Sequence, residues 1–139
     1  MASYTHGDAQ DLLERYKQAW EKRSPDMALE LYSADAEMRL DPFDEPATGL
    51  NGVREVWNDV AATQDHVEFD AERIWVVERT VLASWHAAFT RRSNSERVRI
   101  RGFTTFELDG AGLIQRQRQW AQARVVGHDS THRAEEGSD

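Results

Sequence analysis

The sequence predicts a single α+β domain in which three N-terminal helices pack on a cone-shaped, curved antiparallel sheet. Three observations lead there. Apolar residues recur every three or four positions up to Thr63, and they alternate after Asp65. The alternating part also breaks phase between Ala71 and Ile74, where a bulge bends the strand.

The first helix is expected over about Asp8 to Arg23. Leu12, Leu13, Tyr16, Ala19 and Trp20 form its apolar stripe, Asp8 is its N-cap, and Lys22 and Arg23 suit its C-terminal dipole. Ser24 caps a short second helix with Pro25 at its first position and Met27, Ala28, Leu31 and Tyr32 facing inward. Ala36 to Asp41 reads as a short strand with Met38 and Leu40 on one side. The loop Pro42 to Gly49 leads to a third helix, about Asn51 to Thr63, with Val53, Val56, Trp57 and Val60 inward.

Strands follow. His66 to Glu78 carries Val67, Phe69 and Ala71 in one phase and Ile74 and Val76 in the other. Val81, Ala83, Trp85, Ala87 and Phe89 alternate with an outward set that includes His86. After the Ser93-Asn94-Ser95 turn, Val98, Ile100, Gly102, Thr104, Phe106 and Leu108 share one face. Asp109-Gly110-Ala111-Gly112 turns into the last strand, Leu113 to Val126, which is oddly polar from Gln115 to Gln119. The 139 residues make one domain with a core over about 8–126 and a polar tail over 127–139. A strand glycine such as Gly102 helps the sheet curl, and a cone closed by helices leaves a cavity at its wide end.

Composition excludes several function classes. There is no cysteine, which removes disulfides, thiol catalysis and zinc–thiolate sites. A net charge of −8 argues against nucleic acid and anionic membrane surfaces as partners. No apolar run approaches the ~20 residues that cross a bilayer. Met1-Ala2-Ser3-Tyr4 opens no signal peptide, so a soluble, cytoplasmic protein is expected. The five tryptophans suit ordinary core packing, a ligand pocket or a subunit interface.

The chemistry concentrates in Arg39-Leu40-Asp41-Pro42-Phe43-Asp44-Glu45-Pro46. Asp41 ends an apolar run, Pro42 stops the strand, and Phe43 keeps the neighbourhood dry. A carboxylate at the rim of an apolar cavity has its charged form disfavoured, which suits it to moving protons. Tyr16, on the apolar stripe of the first helix, could face the same pocket and hold a developing oxyanion. The plain readings are a strand-terminating aspartate and a core tyrosine. No histidine pairs with carboxylates at a ligand spacing, so no metal is expected. The arginines of the late strands, from Arg91 to Arg118, fit a solvated or subunit-facing sheet surface better than an anion-gripping cavity.

The element order resembles the nuclear transport factor 2-like superfamily, with its SnoaL-like, polyketide cyclase-like and ketosteroid isomerase-like branches. Leu13-Glu14-Arg15-Tyr16, Leu31-Tyr32-Ser33-Ala34-Asp35-Ala36 and Asp41-Pro42-Phe43 with Gly52 beyond look most like bacterial ketosteroid isomerases. So do the Asp109–Gly112 turn and Trp120 after it. That resemblance implies a cofactor-independent enzyme and a homodimer. Asp41 would shuttle a proton next to a carbonyl of a small hydrophobic substrate, and Tyr16 would donate to the oxyanion. Thr104 stands where that family keeps a protonated acid as second donor. Phe43, Trp57, Trp85, Phe89, Phe106 and Trp120 would line the substrate. The alternatives are a non-catalytic SnoaL-like ligand-binding or assembly domain and a polyketide cyclase-like enzyme. An epoxide-hydrolase-like Asp-Arg-Asp relay is weaker, because no second inward aspartate is found.

Overall fold

The computed structural model describes residues 3–129. Helix α1 (His6–Glu21) starts at a reciprocal capping box. The Thr5 hydroxyl accepts from the Asp8 amide at 3.0 Å, and the Asp8 carboxylate accepts from the Thr5 amide at 2.9 Å. The N-cap is therefore Thr5, and Asp8 takes the third helical position, where its charge also suits the dipole. Helix α2 (Pro25–Leu29) begins as expected, with the Ser24 hydroxyl accepting from the Met27 amide at 3.1 Å. It ends sooner. The Leu31 carbonyl accepts from the Ile114 amide at 2.7 Å, which draws the chain into the sheet, so Tyr32 opens β1 (Tyr32–Arg39) instead of closing a helix.

The loop after β1 contains a two-residue strand, β2 (Ala47–Thr48), too short for a periodicity to announce it. Helix α3 (Gly49–Thr63) follows, then β3 (Gln64–Val77), β4 (Thr80–Arg91), β5 (Glu96–Leu108) and β6 (Ile114–His128). The six strands form one open, curved sheet in the order β2-β1-β6-β5-β4-β3. All neighbours are antiparallel except β1 and β6, which run parallel. The last strand reaches His128, so Gly127 and His128 belong to the sheet, and the rest of the expected tail, from Ser130, lies outside the described residues.

The expected phase break is a register shift in β3 between Ala71 and Arg73. It leaves Phe69 and Ala71 inward before it and Ile74 and Val76 inward after it. The helices cover the concave face, α1 against β3 and α3 against β1. Lys17 Nζ donates to the Phe69 carbonyl at 2.6 Å and Glu21 accepts from the Phe69 amide at 2.9 Å, which fixes α1 on that strand. Where helices and sheet meet, Phe69, Phe106, Val81 and Ile114 of the strands and Val53 of α3 are fully buried.

Gly102 lies under the Trp85 indole, and a Cβ there would come within 2.3 Å of a ring carbon. Its role is to make room for that ring. Strand β1 accompanies β6 only as far as the Arg39–Arg118 pair, so the rest of β6 is bonded on one edge, to β5.

Candidate functional site

Tyr16 sits at the centre of an aromatic enclosure. Its ring meets Trp57, Phe69 and Phe106 edge-on at centroid distances of 5.5 Å and Trp20 at 6.3 Å. Edge-on packing sets positive ring edges against negative faces, so these contacts add specificity to apolar burial. The hydroxyl is held by Gln117 of β6, whose Nε2 donates to it at 3.2 Å. The Oε1 of the same amide accepts from the Tyr32 hydroxyl at 2.5 Å. The shorter contact has the length of an O–H···O bond, which orients the amide with oxygen toward Tyr32 and nitrogen toward Tyr16.

The result is a directed chain, Tyr32 to Gln117 to Tyr16, in which each donor polarises the next. Among the described residues the Tyr16 hydroxyl accepts from Gln117 and donates to nothing, so its proton is unspent. Burial pushes the Tyr16 phenol up to about 12, while the Gln117 bond works in the opposite direction. Tyr32 is raised well above the ordinary phenol range, first by burial and then by Tyr16 beside it. The Trp57 indole eases that rise, yet its N–H makes no hydrogen bond of good geometry and stays buried without a partner. Both phenols therefore stay protonated across the ordinary pH range, Tyr32 with its proton given to Gln117 and Tyr16 with its proton free to donate.

Thr104 is buried on the inner face, where alternation places it, and its hydroxyl accepts from Trp85 Nε1 at 2.8 Å. Trp57, Trp85 and Phe106 are buried, and Phe89 is half-buried. Three residues of the expected pocket are not brought inside. Asp41 is exposed, because its Oδ1 accepts from the Phe43 amide at 2.9 Å in a local turn that holds the carboxylate at the surface. That turn leaves Phe43 97 % exposed. Trp120 pairs with outward-facing Phe103, so it lies on the convex face and is 44 % exposed. The loop bearing Asp41 borders a groove of about 390 Å³ walled by Glu37, Arg39, Arg116, Gln117, Arg118 and Trp120, of which Gln117 is also the partner of the Tyr16 hydroxyl.

Sequence reasoning missed Gln117 and Tyr32 as site residues. The signal for Gln117 was present. Gln117, Gln119, Ala121, Ala123 and Val125 form an uncharged phase of β6 against Arg116, Arg118 and Arg124 in the other, and the uncharged phase is the inner one. Tyr32 was hidden by its assignment to a helix. Outward His86 was read correctly: Nδ1 lies 2.8 Å from Glu72 and Nε2 3.8 Å from Asp70. Among the described residues no three His, Asp or Glu side chains converge as metal ligands, and no helix is long and apolar enough to cross a membrane.

An open conical sheet wrapped on two long helices, with a buried phenol at its centre, defines a nuclear transport factor 2-like domain. The chain belongs to the SnoaL-like domain family, whose model matches residues 13–117. In structure it is similar to SalBIII, an epoxide hydrolase/cyclase-like enzyme of pyran ring formation in the polyether salinomycin. That match has a TM-score of 0.75 at 17% identity, over 84% of this chain and 95% of the other. It is also similar to a hypothetical protein of ketosteroid isomerase-like fold from Catenulispora acidiphila, solved with trimethylamine. There the TM-score is 0.71 at 13% identity, over 78% of this chain and 83% of the other. Identities this low establish the fold alone. No curated protein matches the sequence.

Proposed function

We propose that the cone interior takes a small hydrophobic molecule by an oxygen atom that accepts the Tyr16 proton. In this reading the chain moves a proton beside that carbonyl without a cofactor, in the manner of a ketosteroid isomerase. The unspent Tyr16 proton carries the reading. Buried polar groups are nearly always paired, and a phenol that accepts from Gln117 keeps its own proton to give. A carbonyl gaining negative charge is the acceptor that such a donor stabilises best in a water-poor enclosure. Thr104 is a second donor, since its hydroxyl accepts from Trp85 and keeps its own proton to give. Asp41 is the base, and to act it must give up the Phe43 amide and turn inward with its loop.

A second reading, a SnoaL-like domain that binds the same ligand without turnover, has an observation of its own. The buried polar residues Ser33, Thr90, Thr104 and Gln117 include no carboxylate, so among the described residues no base stands inside the cone. Conversion of an unconjugated steroid enone to its conjugated isomer, followed by ultraviolet absorbance, separates the two. Catalysis is supported by turnover that drops on the order of a hundredfold in Tyr16→Phe and further in Asp41→Asn. Turnover indifferent to Asp41→Asn sinks the proton shuttle. Saturable binding without turnover, weakened by Tyr16→Phe, establishes the second reading.

A further inference from the structure

The convex face carries a second candidate site, on the opposite side of the sheet from Tyr16. Arg99 of β5 and Arg124 of β6 are direct cross-strand partners, and both are exposed. Like charges in that relation repel, at a cost the local strand pairing has to absorb. Nearby arginines are occupied: Arg97 meets Glu68 at 3.3 Å and Arg101 meets Glu72 at 3.3 Å. Among the described residues neither Arg99 nor Arg124 has a carboxylate within ion-pair reach. In a chain of net charge −8, two adjacent guanidiniums with no carboxylate in reach among the described residues form a local exception.

Arg99 and Arg124, with Arg101 and Gln122, line a groove of about 380 Å³. Arg101 and Gln122 also wall a neighbouring groove of about 520 Å³ that contains Phe103 and Trp120. Phe103 and Trp120 are cross-strand partners on the same outward phase, one outward position along from Arg101 and Gln122. The face thus runs from two adjacent guanidiniums, through an amide, to two aromatic rings. Guanidinium forks match carboxylate and phosphate geometry, and the exposed Trp120 ring, beside half-buried Phe103, offers a stacking surface.

We infer that this face binds a small aromatic acid. Its carboxylate or phosphate bridges Arg99 and Arg124, its ring lies toward Phe103 and Trp120, and Gln122 hydrogen-bonds between the two. The cationic groove, at about 380 Å³, holds a compact molecule, which favours this ligand over an acidic peptide.

The test uses the full chain at constant ionic strength, with phenylacetate, phenyl phosphate and neutral benzyl alcohol as probes. Binding is followed by calorimetry and by tryptophan fluorescence. Saturable one-to-one binding of the two anions is expected, with benzyl alcohol at least about tenfold weaker. Arg99→Ser with Arg124→Ser should abolish it while the circular dichroism spectrum is unchanged, as suits exposed side chains. Tyr16→Phe should leave it intact, which separates this site from the cone interior. Absence of saturable anion binding overturns the proposal, as does binding indifferent to the double substitution or lost in Tyr16→Phe. So does a tighter response to a polyglutamate peptide than to either small acid, which assigns the face to a protein partner. A dimer that the double substitution converts to monomer, with no anion bound by either form, assigns it to a second copy of the chain.

Discussion

Along the first half of β6 the inner-face residues Ile114 and Gln117 are fully buried, whereas along the second half Ala121, Ala123 and Val125 on the same face are exposed. Past the irregularity between Ile114 and Arg116 the alternation runs unbroken from Gln117 to Val125, so the difference does not come from the strand. It comes from what lies over it. The first half has β1 on its free edge and the tyrosine enclosure over its inner face, and both end near Arg118. The second half has β5 alone, and the main helix contacts fall on β1 and β3. A polar side chain can therefore be completely buried, with both ends of its amide satisfied, while apolar ones a few residues on face water. The face of a strand is a local property, and coverage is not.

The boundary between the two regions is the row where Trp85 lies over Gly102, opposite Ala121. Gly102→Ala should break it. A methyl 2.3 Å from a ring carbon, on a strand fixed on both sides, has no room to relax. A loss of about 3 kcal/mol or more is expected in urea unfolding, at the upper end for overpacking. Adding Trp85→Phe should restore part of it, and failure to do so would show that the clash lies elsewhere.

High pH should attack the filled region through its phenols. Tyr16 is raised from 10.0 to about 12 in the folded protein. The sign follows from which state ionises first. Below pH 10 both states hold the proton and the stabilisation is complete. Between 10 and 12 only the unfolded chain releases it, so stability falls, by about 3 kcal/mol over that interval from Tyr16 alone. Tyr32, raised for the same reason, adds to the fall. Thermal midpoints measured from pH 8 to 12 should decline less steeply in Tyr16→Phe. An identical slope would mean that the phenol is not enclosed.

The smallest effects test the comparison directly within one strand. Gln117→Leu leaves two buried hydroxyls without their partner and should cost about 2 kcal/mol. Ala123→Ser, on the same face of the exposed half, should stay within about 0.5 kcal/mol of wild type. Equal costs at the two positions would contradict the assignment of one half as covered and the other as open.

Sequence alone determined much of this protein, because the signals are local. The helical stripe Leu12–Trp20, the Ser24–Pro25 start, the phase break in β3 and the inward set from Val98 to Leu108 depend on periods and caps that span only a few residues. Gly102 could be picked out as special, though not for the reason that it lies beneath an indole. The tertiary structure decided what those residues do. It made Tyr32 a strand residue by bonding Leu31 to Ile114, 83 positions being no obstacle to a sheet contact but beyond any local pattern. It joined Tyr16 to Gln117, turned Asp41 and Phe43 outward through one backbone amide, and left Trp120 on the convex face. Local chemistry sets conformation and facing, whereas burial and convergence depend on distant segments, whose mutual placement no short window of sequence contains.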